Sequence, residues 1–202
     1  MDNPVFTIGH SDHAIETFLS LLQKWNVNAV ADVRSSPYSK RYPQFSRAPL
    51  EAILGKNGIA YVFLGKELGA RPSDRKLYSE GKADLRLIAA SQPFRKGIQR
   101  LLEGRKRWSI AVMCAEKEPL DCHRTILVSR ALAEEGIQVL HILADGMAES
   151  HEQVIKRLFA LHRKDERDLF LTPEEILSAV YRLQVEKIAS RINTSTDQEG
   201  AE

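Results

Sequence analysis

The sequence predicts an α/β protein of three layers, in which helices cover both faces of a mostly parallel sheet of about five strands. Short β-rich runs alternate with helical segments between residues 4 and 143, and this alternation is typical of parallel sheets with crossover helices. The runs are mostly apolar, as expected for strands that are buried on both faces. Two further helical segments lie beyond residue 143 and predict two extra C-terminal helices.

The five strands are predicted where apolar and β-branched residues cluster over a few positions. They lie at VFTIG (5–9), NAVADV (28–33), IAYVFL (59–64), WSIAVM (108–113) and IQVLHIL (137–143). Helices are predicted after a cap at Ser11 or Asp12, and over residues 50–56, 94–103 and 125–135. The segments 34–49, with three prolines, and 65–84, rich in glycine and basic residues, predict long loops.

A single domain is predicted over residues 1–192, because a chain of 202 residues can bury one substantial core. The last helix has clear start signals in Thr172 as the cap, Pro173 in the first turn and Glu175 three residues after the cap. Residues 193–202 offer nothing apolar to bury, so we expect a disordered tail there.

The charge distribution favours a polyanionic partner. Residues 34–107 carry 17 Lys and Arg against 6 Asp and Glu, whereas the remainder carries 12 against 21. Nucleic acid or a nucleotide suits such a segment, because each phosphate contact releases counterions. We expect these basic residues around the mouth of a binding cleft. The alternative is a solvated surface on which they are scattered.

The compartment is predicted from what the composition lacks. The N-terminus has no signal-peptide pattern, and no apolar run approaches the ~18 residues of a membrane span. Two cysteines separated by seven residues do not form a secreted disulfide framework. A cytoplasmic protein with reduced thiols and no membrane partner is therefore expected. No sequence feature indicates the oligomeric state.

Polar side chains follow the carboxyl ends of the predicted strands, where open parallel sheets bind ligands. We expect five of them to converge on one cleft: His10, Asp32, Arg34, Cys114 and Arg124. Carboxylates and imidazoles are suited to proton transfer, which makes Asp32, Glu116, His10 and His123 catalytic candidates. Hydroxyl and cationic groups are suited to anions, and the candidates for this role are Ser11, Arg34, Ser39, Lys40, Arg41 and Arg124. An internal Asp32–Arg34 ion pair and a structural His10 are the alternatives.

The two cysteines are candidate nucleophiles at the start of a predicted helix. The helix N-terminus and Arg124 would lower the pKa of a thiol placed there, as in phosphatase or sulfurtransferase loops. Nine residues separate Cys114 from Arg124, however, and several of them are acidic. The alternative is that Cys114 is a small apolar residue that closes the strand. We expect it to be buried, reduced and not bonded to Cys122. The C-x7-C-H spacing matches no usual zinc motif, so no metal or cofactor is predicted.

The chain resembles the domain-of-unknown-function 488 (DUF488) family. Its pattern is T-I-G-H-S, then D-V-R with a following P-x-S, then L-C-x-E-x-x-P-x-x-C-H-R and a later H-I. The matching positions are Thr7 to Ser11, Asp32, Val33, Arg34, Pro37, Ser39, Cys114, Glu116, Pro119, Cys122, His123, Arg124 and His141. The chain departs from the family's L-G-G at Ala70. The resemblance implies the same α/β fold and a shared set of polar residues, without defining a reaction.

Three hypotheses follow for the function. The leading one is an enzyme that acts on a nucleotide or on a base in nucleic acid, as a hydrolase or glycosidase would. The second is a phosphatase or sulfurtransferase that depends on Cys114 or Cys122. The third is a nucleic-acid-binding module without catalysis, in which the polar residues at the strand ends only hold the fold together.

Overall fold

The computed structural model describes residues 3–162 and 172–194, excluding the side chains of 189–194. It confirms the predicted α/β architecture, with a mostly parallel sheet between layers of helices and two long helices at the C-terminal end. The predicted disordered tail, 193–202, overlaps the last two residues of the final helix and otherwise lies outside the described residues.

The main sheet has six strands, one more than predicted. In chain order they are β1 (Val5–Gly9), β2 (Ala29–Asp32), β3 (Ala60–Phe63), β6 (Ile110–Cys114), β7 (Val139–Ile142) and β8 (Ala148–Ser150). The two strands between β3 and β6, β4 (Tyr78–Ser79) and β5 (Lys82–Ala83), form a separate hairpin. Their spatial order is β3-β2-β6-β1-β7-β8, and all neighbours pair in parallel except β7 and β8. β8 was missed because it is a three-residue edge strand with mixed polarity, and its pairing with β7 supplies the hydrogen bonds.

Most helices lie where the sequence predicts them, with small shifts of the ends, whereas the short helices over Gly65–Leu68 and Leu85–Ala90 were not predicted. They are α1 (Ile15–Lys24), α2 (Arg47–Lys56), α3 (Gly65–Leu68), α4 (Leu85–Ala90), α5 (Gln92–Gly104), α6 (Arg130–Glu134), α7 (His151–Leu161) and α8 (Pro173–Thr194). The predicted cap of α8 is present, since Thr172 Oγ1 accepts from the Glu175 amide and the Glu175 carboxylate accepts from the Thr172 amide.

Two segments differ from the prediction. The 65–84 loop contains α3 and a hairpin of β4 (Tyr78–Ser79) and β5 (Lys82–Ala83), whose turn places Glu80 and Gly81 at positive φ. The predicted helix at 125–135 begins as a π-helix over Arg124–Ser129 and becomes α-helical only at α6. The Ser129 hydroxyl donates to the Arg124 carbonyl and so satisfies an acceptor in the wider turn.

The core is divided by the sheet into two hydrophobic clusters. Successive side chains of a strand point to opposite faces, and β6 accordingly places Val112 and Cys114 in one cluster and Ala111 and Met113 in the other. The Cys114 thiol therefore faces the same side as the π-helix. Among the described helices, none combines the length and the apolar composition that crossing a bilayer requires.

Candidate functional site

The carboxyl ends of β1, β2 and β6 are joined by backbone hydrogen bonds that continue beyond the strands. The His10 amide donates to the Cys114 carbonyl at 2.9 Å and the Ser11 amide to the Ala115 carbonyl at 2.9 Å, while the Val33 amide donates to the Met113 carbonyl at 3.0 Å. The segments after these three strands therefore lie side by side, and they carry most of the predicted site residues.

Two glycines permit the close approach of these segments. A Cβ on Gly9 would lie 1.9 Å from the Glu116 carbonyl oxygen, and a Cβ on Gly65 would lie 2.0 Å from that of Arg34. Any larger residue would displace the neighbouring backbone. The loop after β6 therefore packs directly on the end of β1, and α3 packs on the end of β2.

Asp32 and Arg34 form a buried ion pair. Arg34 Nε and Nη2 donate to the two carboxylate oxygens at 2.9 and 2.6 Å, and the Arg34 amide donates at 3.1 Å. The Tyr61 hydroxyl donates to Asp32 Oδ2 at 2.8 Å. Asp32 is fully buried and accepts four hydrogen bonds, so its lone pairs are occupied. This geometry favours the internal ion pair over a general base, and the catalytic role of Asp32 stays a prediction.

His10 is held by the same network. Its Nδ1 contacts the Ser11 carbonyl at 3.0 Å, which requires the proton on Nδ1, and its Nε2 then accepts from Arg34 Nη1 at 3.1 Å. Its ring stacks on Phe45 with centroids 4.5 Å apart. Burial, followed by the Arg34 charge, lowers the pKa of His10 to about 4. The imidazole is therefore neutral with both nitrogens engaged, which favours the structural alternative.

Four side chains with donor atoms meet at the end of β6 and the start of the π-helix. The Sγ atoms of Cys114 and Cys122 lie 3.6 and 3.9 Å from His123 Nδ1, and Cys122 Sγ lies 2.9 Å from Glu116 Oε2. Both cysteines are buried and free, which agrees with the burial predicted for Cys114 and with the prediction that it is not bonded to Cys122. Glu116 is exposed as a residue while its carboxyl group turns inward. We call these four residues the thiol cluster.

The pKa values of the acidic groups in the thiol cluster shift in different directions. Burial raises the pKa of the Cys114 thiol, and burial together with the nearby Cys122 raises the pKa of the Glu116 carboxyl. Burial opposes ionisation of Cys122, but its hydrogen bond with Cys114 and the Arg124 charge outweigh that effect and lower its pKa. Cys122 is therefore the more acidic of the two thiols.

Arg124 is fully buried and positions the loop of the thiol cluster. Its Nη1 donates to the Glu116 carbonyl at 2.6 Å and its Nη2 to the Lys117 carbonyl at 3.2 Å. Its Nε has no hydrogen-bond partner among the described residues. A guanidinium committed to backbone carbonyls is poorly placed to clamp a ligand, so an anion-binding role for Arg124 stays a prediction that this geometry does not favour.

The exposed part of the site is the segment 35–47, which runs from the loop after β2 to the first residue of α2 and which we call the loop 35–47. Tyr38 is 70% exposed, and Lys40 and Arg41 are exposed beside it. Ser39 also contributes to the loop structure, because its amide donates to Ser46 Oγ and its Oγ accepts from the Tyr42 amide, and its ligand-binding role stays a prediction. Ser11 is only partly exposed, and its hydroxyl donates to Asp12.

The basic residues divide between the two ends of the sheet, contrary to the expectation that they surround one mouth. The Arg71 amide donates to Ser35 Oγ at 2.9 Å, so the basic loop after α3 joins the loop 35–47 at the carboxyl end. Residues 105–107 instead precede β6, and Arg105 Nε donates to the Asn3 carbonyl just before β1. The positive charge of residues 105–107 therefore lies at the amino ends of the strands.

The expected convergence is present, but as a buried network rather than an open cleft. His10, Asp32, Arg34, Cys114 and Arg124 are each at most 5% exposed. Two cavities of the described part lie elsewhere, one between the hairpin and α8 and one on the edge of the sheet beside Trp108. Solvent reaches the site through Glu116 and the loop 35–47.

Sequence reasoning missed two members of the network. Tyr61 supplies a hydrogen bond to Asp32, and Phe45 supplies the ring on which His10 stacks. The strand pattern contains a signal for Tyr61, because an amphipathic ring on a strand beside an acidic strand end needs a partner for its hydroxyl. Phe45 ends a single 3₁₀ turn, Pro43–Phe45, within the proline-rich segment and leaves no such signal.

Fold and site together define a parallel α/β protein with a thiol cluster and a basic loop at the carboxyl end of its sheet. The chain belongs to the DUF488 family: the model of that family, described as a domain of unknown function, matches residues 14–131. The matched range contains Asp32, Arg34 and the thiol cluster, and leaves out the T-I-G-H-S segment and His141. Searches of curated proteins and of solved structures found no match.

Proposed function

We propose that this protein binds nucleic acid, and that the loop 35–47 holds unpaired bases and their phosphates. Exposed Tyr38 beside exposed Lys40 and Arg41 is the observation that carries the proposal. Single-stranded nucleic acid is bound by aromatic faces on which bases stack, combined with cations that follow the backbone. The sequence of this loop contains no acidic residue that would oppose phosphate.

The anchoring of the loop supports this proposal. The Arg47 amide donates to the Pro37 carbonyl at 2.8 Å, and the Ser46 hydroxyl contacts both the amide and the carbonyl of Ser39. The guanidinium of Arg41 lies 5.5 Å from the centre of the Tyr42 ring. A loop held in this way loses little conformational entropy when it binds, so its contacts contribute to affinity.

Catalysis on a bound nucleotide is the second candidate. It is favoured by one contact, His123 Nε2 to the Val33 carbonyl at 3.2 Å, which places the thiol cluster beside the start of the loop. Glu116, the exposed member of the cluster, is the group we assign to proton transfer. Time-dependent conversion of a labelled oligonucleotide or nucleotide by the wild type, absent in Glu116→Gln, would distinguish this enzyme from a binding module.

A stacking test distinguishes base contact from general electrostatic attraction. In fluorescence anisotropy with labelled single-stranded DNA and RNA, Tyr38→Ala should weaken binding by about 5- to 150-fold, the equivalent of about 1–3 kcal/mol for one stacked base. Tyr38→Phe keeps the ring and should bind like the wild type. Equal affinities for all three proteins would remove Tyr38 from the interface and leave the proposal without its main support.

A further inference from the structure

The donor atoms of the thiol cluster converge on one point. One ligand atom from each of Cys114, Glu116, Cys122 and His123 lies within 4.8 Å of every other. In a tetrahedral zinc site, with Zn–S near 2.3 Å and Zn–N near 2.0 Å, sulfur and nitrogen ligands are about 3.5 Å apart. The distances from His123 Nδ1 to the two sulfur atoms, 3.6 and 3.9 Å, are close to that spacing.

The imidazole of His123 is oriented as a metal ligand would be. Its Nε2 lies 3.2 Å from the Val33 carbonyl oxygen, which can only accept, so Nε2 carries the proton. Nδ1, which must be unprotonated to bind a metal ion, lies on the side of the ring that faces the two thiols. Histidines that bind metal almost always donate their other N–H to a carbonyl or carboxylate, and this contact fixes both the tautomer and the ring plane.

The backbone that carries these ligands is held in place before any ion binds. Arg124 fixes the Glu116 and Lys117 carbonyls, and Gly9 lets the same loop lie against the end of β1. Cys114 ends a central strand, and Cys122 immediately precedes the start of the helical segment. The ligands therefore come from regular elements and from a fixed loop, as a site with defined geometry requires.

The chemical nature of the donors selects the type of ion. Two sulfur atoms and one imidazole are soft or borderline ligands that suit zinc and its neighbours, whereas magnesium and calcium require oxygen ligands. Glu116 provides the oxygen and is the exposed member of the set, so an ion can enter from its side. This donor set forms only in the folded chain, because the C-x7-C-H spacing by itself matches no common zinc motif.

We propose that Cys114, Glu116, Cys122 and His123 form a binding site for one divalent transition-metal ion of the zinc type. This site is independent of nucleic-acid binding by the loop 35–47. Metal binding requires both cysteines as thiolates and Glu116 as a carboxylate, so it would release any protons that these groups carry.

Cobalt substitution of the full-length protein tests the site directly. Reduced protein, freed of metal by a chelator and titrated with Co²⁺, should show visible d–d bands of a tetrahedral ion and near-ultraviolet thiolate-to-cobalt charge transfer. Both should saturate at one equivalent and disappear when Zn²⁺ is added. Zn²⁺ should also slow the reaction of both cysteines with a thiol reagent. A titration of folded wild-type protein without thiolate charge transfer would overturn the proposal.

Two substitutions in the same loop provide a matched comparison. Loss of an outer-shell partner alone costs metal sites about 10- to 100-fold in affinity, so Cys122→Ser should lower Zn²⁺ affinity by at least about 100-fold. Glu118→Gln changes a carboxylate that contacts Arg157 and the Leu120 amide rather than the thiol cluster, and should bind Zn²⁺ like the wild type. Equal affinities of folded Cys122→Ser and wild type would contradict the assignment. If Cys122→Ser does not fold, the wild-type cobalt spectrum alone decides.

Discussion

At the scale of single residues, Arg34 is the cation that joins the side chains at the ends of two strands. Its guanidinium binds Asp32 and His10 at the same time, and both residues of the ion pair are almost completely buried. Such a pair contributes little net stability compared with apolar residues, but removal of one partner leaves the other charge buried and unpaired. Arg34 therefore acts as a positioning residue for the ends of β1 and β2.

A comparison of two Asp–Arg pairs with the same spacing tests this role. Arg34→Ala should lower the free energy of unfolding by about 3–5 kcal/mol, because Asp32 would lose its counterion in the interior. Arg86→Ala breaks the Asp84–Arg86 pair, in which Arg86 is 81% exposed, and should leave the free energy of unfolding nearly unchanged. Chemical denaturation measures both. Similar losses for the two variants would mean that the buried network does not hold the site together.

At the scale of elements, the sequence predicted the five parallel strands and most helices because their apolar runs are set by burial on both faces of the sheet. The π-helix at Arg124–Ser129 was not predictable in the same way, since it is accompanied by side-chain contacts that the apolar pattern does not encode: Arg124 to the Glu116 carbonyl, and the Ser129 hydroxyl to the Arg124 carbonyl. The same limit applies to the site. Sequence position relative to the strand ends identified Asp32 and Cys114. The hydrogen bonds that such a side chain accepts come from distant elements, as the bond from Tyr61 to Asp32 does, and the sequence pattern does not reveal them.

Two glycines should respond in opposite directions to substitution by alanine. Gly9→Ala places a methyl group against the Glu116 carbonyl oxygen, so we expect a loss of about 1–3 kcal/mol from overpacking. Gly55 lies inside α2 with nothing near its Cβ position, and Gly55→Ala should stabilise by about 0.5–1 kcal/mol through helix propensity. Thermal unfolding checks both signs. A Gly9→Ala protein as stable as the wild type would show that the loop is not fixed on β1.

At the scale of the whole molecule, a buried hydrogen-bonded chain connects the sheet to the C-terminal helices. Thr7 Oγ1 lies 2.8 Å from His141 Nδ1, His141 Nε2 lies 3.1 Å from His151 Nδ1, and His151 Nε2 lies 3.0 Å from the Tyr181 hydroxyl. These residues belong to β1, β7, α7 and α8. Burial lowers the pKa of both histidines, and that of His151 falls to about 4.

Stability should therefore decrease as the solution is acidified. The unfolded chain takes up protons at its histidines near pH 6.5, whereas the folded chain does not protonate His151 until about pH 4. The contribution of His151 to the free energy of unfolding is therefore complete above pH 6.5 and is lost as the pH falls from 6.5 to 4. His151 alone should account for about 2 kcal/mol between pH 7 and pH 5. Denaturant midpoints at several pH values measure the slope. His151→Gln should flatten it, and an unchanged slope in that variant would refute the assignment.

The salt dependence of nucleic-acid binding tests the central claim most directly. For single-stranded DNA, each phosphate contact contributes a slope of about −0.7 in a plot of log affinity against log salt. Lys40→Ala with Arg41→Ala should therefore weaken binding and reduce the steepness of the wild-type slope by about 1.4. Lys106→Ala with Arg107→Ala, at the opposite end of the sheet, should leave both affinity and slope unchanged. Wild-type protein without salt-sensitive binding to any oligonucleotide, or equal effects of the two double substitutions, would contradict the account.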